Sequence, residues 1–302
     1  MTTLFNGVAT ALATPMNYDS SVDYESYEKL VRFQLESGIN ALIVSGTTGE
    51  GSTLTTEEKI ELLKRTQDIR GDKYNCPIIL GTGSNNTRAS IEETILAEKY
   101  GADAALIVTP YYNKTSQKGL VAHYFAIADA VNIPIILYNV PGRTGMTIEP
   151  ETVVELSKHP NIVALKDATG SLKYMAKLKG LLGENRDFKL YSGEDGTFFD
   201  FLVYGGDGVI SVVANATPKL FLEVYNLYRN NEVNASRDLQ LKMDPFIATL
   251  FSDVSPTPLK AVLKHMGIME ENFRLPLIPT TDTVRNNVIR EYDVCKELEV
   301  TL

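Results

Sequence analysis

The sequence predicts an α/β fold, a (β/α)8 TIM barrel with a helical extension at its C-terminal end. Three observations carry this. Short apolar or β-branched runs recur about eight times, amphipathic stretches with helical spacing lie between them, and no linker or break in composition divides the first 230 of the 302 residues. The runs fall at 7–12, 41–45, 77–81, 104–109, 133–138, 162–166, 189–192 and 208–213. Several are apolar at successive positions, as in Ala41-Leu42-Ile43-Val44, the pattern of parallel strands buried on both faces. Between them, Tyr27, Leu30, Val31, Phe33, Gln34 and Leu35 keep helical spacing, as do Ile60, Leu62, Leu63 and Ile69, and each group is opened by Asp or Thr suited to capping. An open doubly wound sheet fits the same alternation, but about eight units without a second-domain signature favour the closed barrel. After the eighth run the alternation stops, and 219–230, 235–250, 259–266 and 281–298 read as helices. Ser255-Pro256-Thr257-Pro258 breaks the helical pattern, because proline is tolerated at a helix start and not inside one. The expected organisation is a barrel over 1–230 and an extension over 231–302, packed on the barrel or at an oligomer interface.

Composition narrows the function. Lys and Arg total 29 against 38 Asp and Glu, a net charge of −9, which speaks against nucleic acid and anionic membrane surfaces as partners. With 44% hydrophobic and 22% charged residues the chain is an ordinary globular one. The longest apolar runs, such as 133–138, fall far short of the roughly 20 residues a membrane span needs. The start, Met1-Thr2-Thr3-Leu4-Phe5-Asn6, lacks the basic and apolar regions of a secretory signal, so a cytoplasmic protein is expected. Two cysteines, Cys76 and Cys295, make no disulfide framework and are given no role.

In barrels of this kind the chemistry sits at the carboxyl ends of the strands. The second run leads into Ser45-Gly46-Thr47-Thr48-Gly49-Glu50-Gly51, whose hydroxyls and free N–H groups can cradle a carboxylate or phosphate, or can serve as a tight turn and helix cap. The sixth ends in Ala164-Leu165-Lys166-Asp167. By strand parity Lys166 shares a face with Ala164 and Ile162, and a partly dehydrated amine there is a nucleophile for carbonyl carbon, unless it snorkels to a partner such as Asp167. The fifth ends in Tyr138, one strand away, where a phenol can shuttle protons around a small substrate or can be a buried structural side chain. Arg143, in a Pro/Gly-rich loop, can offer its planar fork to a carboxylate or be a surface charge. Thr109-Pro110-Tyr111-Tyr112-Asn113 brings two phenols to a rim loop. Gly81-Thr82-Gly83-Ser84 lacks the third glycine of a dinucleotide fingerprint, and His123, His159 and His265 avoid the strand ends, so neither a cofactor nor a metal is expected. Together these groups suit imine chemistry on a small keto acid.

The runs Thr47-Thr48-Gly49-Glu50, Tyr111-Tyr112-Asn113, 138–145 and Lys166-Asp167-Ala168-Thr169-Gly170 resemble those of the pyruvate-dependent class I aldolases of the N-acetylneuraminate lyase superfamily, in the same order over nearly the whole chain. Within that superfamily the chain is similar to the members that condense pyruvate with L-aspartate 4-semialdehyde in lysine (diaminopimelate) biosynthesis. The resemblance implies that Lys166 forms a Schiff base with pyruvate, with Tyr138, Thr47 and Tyr112 as a proton relay. It further implies that Tyr112 reaches in from a neighbouring subunit of a homodimer or homotetramer, that Thr48 and the backbone of Ile210 hold the pyruvate carboxylate, and that Arg143 receives the carboxylate of the aldehyde. Sibling aldolases acting on N-acetylneuraminate or 2-keto-3-deoxy sugar acids share Lys166 and Tyr138, and Arg143 distinguishes the synthase reading from them. A non-catalytic keto-acid-binding barrel would not need the nucleophile. Lysine-sensitive relatives carry histidine or glutamate at the positions of Thr56, Lys59 and Ala89, so weak or absent inhibition by lysine is expected here.

Overall fold

The structure, a computed structural model, describes residues 4–183 and 187–300. Residues 1–3 of the N-terminal stretch read above, and 301–302 of the expected extension, lie outside the described residues. Eight parallel strands follow one another in chain order around a closed barrel: β1 (Gly7–Ala11), β2 (Ala41–Val44), β3 (Ile78–Gly81), β4 (Ala104–Val108), β5 (Ile135–Asn139), β6 (Ile162–Asp167), β7 (Lys189–Ser192) and β8 (Gly208–Ser211). The eight apolar runs of the sequence are these eight strands. Between and after them lie α1 (Tyr24–Glu36), α2 (Thr56–Arg70), α3 (Thr87–Lys99), α4 (Gln117–Ala128), α5 (Pro141–Thr144), α6 (Pro150–Leu156), α7 (Leu172–Leu182), α8 (Phe198–Val203), α9 (Pro218–Arg229), α10 (Val233–Leu250), α11 (Thr257–His265) and α12 (Asp282–Val300). Capping follows the sequence: Thr55 and Glu58 form a reciprocal capping box at the start of α2, and Asp23 accepts the backbone N–H of Ser26 in α1. Among the described residues no helix is long and apolar enough to cross a membrane.

The chain forms two compact units. One holds the residues up to Asn6 together with Pro77–Ile210. Its core lies between the strands and their helices: Ala105, Ile107, Ile135, Leu137, Leu165 and Leu190 pack against Leu120, Tyr124, Val153, Leu156, Met175 and Leu178. Tyr124, fully buried, donates its phenol hydrogen to the Ile107 carbonyl at 3.1 Å. The strand face turned toward the helices is therefore that of Leu137 and Leu165, and Tyr138 and Lys166 take the opposite one.

The pairing of β5 with β6 departs from plain alternation. Ile135 pairs with Ile162, but Ile136 pairs with Ala164, so Val163 is an extra residue on β6. The extra residue changes which face each side chain takes. Ile162 joins the helix-facing cluster with Leu165, and only Ala164 and Lys166 turn the other way. The expectation that Ile162 shares the face of Lys166 is thus corrected, because parity counted from Ile162 fails across the bulge.

The second unit holds Gly7–Cys76 and the chain from Ser211 onward. In it β1 and β2 pair with Ala9 opposite Ala41 and Ala11 opposite Ile43. The end of β1 is fixed by the buried Asn215 side chain, whose Oδ1 accepts from Ala13 N at 3.0 Å and whose Nδ2 donates to Ala11 O at 2.8 Å. Gln34 of α1 accepts from the Thr10 hydroxyl at 2.6 Å and donates to Ala214 O at 3.0 Å. The helices expected after the eighth strand are α9 to α12. One detail runs against the proline rule: Pro245 sits inside α10. An interior proline costs about 3 kcal/mol, and burial of Leu239, Met243, Phe246, Ile247 and Leu250 on the same helix, at about 1.5–3 kcal/mol each, outweighs it.

Replacing Leu120 of α4, fully buried in the core of the first unit, by alanine is expected to destabilise the protein by about 2–5 kcal/mol in urea unfolding followed by circular dichroism.

Candidate active site

Because Val163 shifts the register, Tyr138 and Lys166 stand directly opposite each other on neighbouring strands. Both are buried, and the Lys166 Nζ lies 4.3 Å from the centroid of the Tyr138 ring. The structure thus brings together the amine and the phenol that the sequence placed one strand apart. Lys166 in turn pairs with Tyr191 of β7, whose ring stacks on Phe5 with centroids 4.2 Å apart and whose hydroxyl donates to Phe5 O. Beside the lysine stem is Gly193. A Cβ there would lie 2.9 Å from Lys166 Cε and 2.8 Å from the Ala168 Cβ, so only glycine leaves room for the lysine stem.

The residues that follow Tyr138 and Lys166 point to the other face and form a second polar layer that sequence reasoning missed. Asn139 Nδ2 donates to Asp167 Oδ1 at 3.2 Å, and the Thr169 hydroxyl donates to Asp167 Oδ2 at 2.8 Å. The Asn139 Oδ1 accepts from Ile148 N at 3.0 Å, and its backbone carbonyl from Ala168 N at 2.8 Å. Burial pushes the Asp167 carboxyl up to about 6, against the hydrogen bonds from Thr169 and Asn139, which lower it. The signal that could have found this layer is alternation itself, since a polar residue after each site residue must face away from it.

The other expected site residues are distributed as follows. In the first unit, Ile210 is buried on β8, Arg143 is exposed on the short helix α5, and Tyr112 is 92% exposed with a left-handed backbone, φ 70°. Asn113 Nδ2 donates to Asn85 O at 2.9 Å and so ties the Tyr111-Tyr112 loop to the loop after β3. In the second unit, Thr47 is exposed and Thr48 buried in the turn after β2. That turn packs too closely for side chains at its glycines: a Cβ on Gly51 would sit 2.0 Å from Ser45 O, and one on Gly49 2.9 Å from Leu12 O. Among the described residues no group of three or more His, Cys, Asp or Glu is placed to hold a metal ion.

Fold and site together define a class, that of the (β/α)8 barrels which present a buried amine beside a phenol at the ends of neighbouring strands, an arrangement suited to carbonyl chemistry. The model of the dihydrodipicolinate synthetase family matches residues 4–293, and the chain belongs to that family. A curated relative from Macrococcus caseolyticus named 4-hydroxy-tetrahydrodipicolinate synthase is 44% identical over 96% of both chains. Among solved structures, a monomeric dihydrodipicolinate synthase variant superposes with a TM-score of 0.94 at 40% identity, covering 97% of this chain and 98% of that one. The chloride-inhibited dihydrodipicolinate synthase of Acinetobacter baumannii, complexed with pyruvate, gives 0.92 at 42% identity, covering 96% and 99%.

The Asp167 shift has a measurable sign. Its folded value of about 6 lies above the ordinary 3.8, so the native state binds the extra proton between those values and stability falls as pH rises through that window. Burial pushes His123 down to about 4, which works in the opposite direction, so the parent protein's own pH dependence mixes the two. Asp167→Asn removes only the carboxyl. Relative to the parent, its stability in urea unfolding is expected to improve from pH 4 to pH 6, by up to about 3 kcal/mol.

Proposed function

We propose that this protein condenses pyruvate with L-aspartate 4-semialdehyde through a Schiff base on Lys166, giving 4-hydroxy-tetrahydrodipicolinate for lysine (diaminopimelate) biosynthesis in the cytoplasm. The observation that carries the reading is the buried Lys166 amine 4.3 Å from the Tyr138 ring, in a chain of the dihydrodipicolinate synthetase family. The neutral amine adds to C2 of pyruvate and water leaves, giving an imine. The imine draws electrons from the neighbouring methyl group, which loses a proton, and the resulting enamine carbon attacks the aldehyde carbon. The amino group of the second substrate then attacks C2, closes the ring and releases Lys166. These steps move protons on and off the carbinolamine and the new hydroxyl, and Tyr138 is the acid and base for them, with Thr47 and Tyr112 as its relay. Thr48 and the Ile210 backbone receive the pyruvate carboxylate. Arg143, exposed on its short helix, offers a fork to the carboxylate of the incoming aldehyde.

Tyr112 belongs to this relay as a residue supplied by a second copy of the chain. Its 92% exposure and left-handed backbone support that reading: a phenol held out from the surface in a costly conformation serves something beyond its own fold. The working form is then a homodimer or homotetramer.

Borohydride added in the presence of pyruvate is expected to leave a reduced pyruvate adduct on Lys166, seen by peptide mass spectrometry, and turnover is expected with aspartate semialdehyde but not with N-acetylmannosamine or glyceraldehyde. An unlabelled Lys166, or an active Lys166→Ala variant, would refute the assignment. Gly193→Ala, which crowds the lysine stem, is expected to lower kcat/KM by about tenfold or more while the protein stays folded. Lysine is expected to inhibit with a constant above about 1 mM, near the top of the ordinary range of substrate affinities, since Lys59 on α2 sets a cation where an effector ammonium would need a partner and Ala89 on α3 offers no carboxylate.

A further inference from the structure

The turn that carries Thr47 and Thr48 is tied down by charges from far along the chain. Glu50, two residues after Thr48, has a left-handed backbone, φ 53°, and is 3% exposed. Its Oε1 accepts from the Nζ of Lys260 on α11, a side chain with no exposure at all, and its Oε2 accepts from the Arg274 backbone N–H at 3.2 Å. Lys260 also donates to Asn272 O at 2.8 Å and lies 4.7 Å from the centroid of the Phe273 ring. The Arg274 guanidinium grips the far end of the same segment, donating to Thr53 O at 2.7 Å and to both oxygens of Glu58 at 2.7 and 2.5 Å. On the other side the Thr14 hydroxyl donates to Gly49 O at 2.7 Å.

A lysine and a glutamate this deeply buried are poor devices for stability alone. Taking both out of water offsets most of their attraction, and apolar side chains of similar volume would pack as well. Burial indeed pushes the Lys260 ammonium below the usual lysine range, with Glu50 working against that. What the charges provide and an apolar pair would not is direction. The carboxylate takes hydrogen bonds on both oxygens, and one position of the Glu50 backbone satisfies them together, which fixes the turn two residues upstream.

We propose that Lys260 and Glu50 are a positioning pair that holds the Thr47-Thr48 turn for the reaction, which makes helix α11 a working part of the site. This rests on the proposed role of that turn in receiving the pyruvate carboxylate. Neither side chain touches substrate. Both act through Thr47 and Thr48.

The test compares Lys260→Met, Glu50→Gln, the double variant and Glu50→Asp in the full chain, measuring Tm, the KM for pyruvate, and pyruvate–borohydride labelling of Lys166. Each single neutralisation leaves an unpaired buried charge or a broken anchor and is expected to lower Tm. In the double variant no unpaired charge remains, so Tm recovers, yet the KM for pyruvate stays raised by about tenfold or more. Glu50→Asp keeps the charge pair but shortens the reach by one methylene, and its KM is expected to rise by the same criterion. A smaller rise in the double variant or in Glu50→Asp would overturn the proposal and leave the pair a matter of stability only. If the unmodified protein is not labelled by pyruvate and borohydride, the proposed function fails. If it is labelled and the variants keep the parent KM, only the positioning role fails.

Discussion

One extra residue on β6 decides what the rest of the first unit can do. Side chains on a strand alternate between faces, so a slip of one position exchanges every inward residue for an outward one. With Val163 inserted, Ile136 meets Ala164, Tyr138 meets Lys166, and Leu165 keeps its place among Leu137, Leu178 and Met175. Had Ile136 met Val163, Tyr138 would stand opposite Leu165, and the amine would be one step out of line with the phenol. A bulge is held only where the packing around it is strong enough to absorb the lost ladder bond. Here Ile135 and Ile162 below the bulge and Leu137 and Leu165 above it are all buried in the helix-facing core.

The same alternation sets two kinds of polar residue back to back. Tyr138 and Lys166 occupy one face, and Asn139 and Asp167 the other, where hydrogen bonds join the ends of β5 and β6 and run on to Thr169 and Ile148. Asp167 is expensive to bury, since burial pushes its carboxyl up to about 6, and that cost falls next to Tyr138 and Lys166. The second unit shows the same economy of means, with a fully buried Lys260 and a nearly buried Glu50 beside the Thr47-Thr48 turn. In both places the fold spends polar groups on direction and leaves bulk cohesion to the aliphatic core.

Much of this was legible in the residues themselves. The eight strands show as apolar runs, since parallel strands covered on both faces have no polar side to betray or confuse them. Lys166 and Tyr138 stand out because a charge or phenol at the end of such a run is unusual. What stayed hidden is tertiary. Ile162-Val163-Ala164 has no glycine or proline to mark a bulge, and only the partner strand reveals the extra residue. Glu50 and Lys260 are 210 positions apart, and nothing in the sequence pairs them. Pro245 argues locally against the helix that contains it, yet the helical spacing over 235–250 was legible despite it, and the buried face of α10 overrides the proline. Asn139 and Asp167 are individually ordinary, and their pairing follows only once β5 and β6 are known to be neighbours.

The Asn215 side chain, bonded to Ala11 and Ala13, sets a schedule for the growing polypeptide. The group that satisfies the far end of β1 is made some 200 residues after the strand itself. At a synthesis rate of about 5–20 residues per second, the first strand waits on the order of ten seconds or more with that amide and carbonyl open to water or to the wrong partner. The counter-ion of Glu50 arrives later still. The Thr47-Thr48 turn therefore takes its final form only once α11 has been made, and a chain stalled before α11 would hold all eight strands and a turn without its anchor.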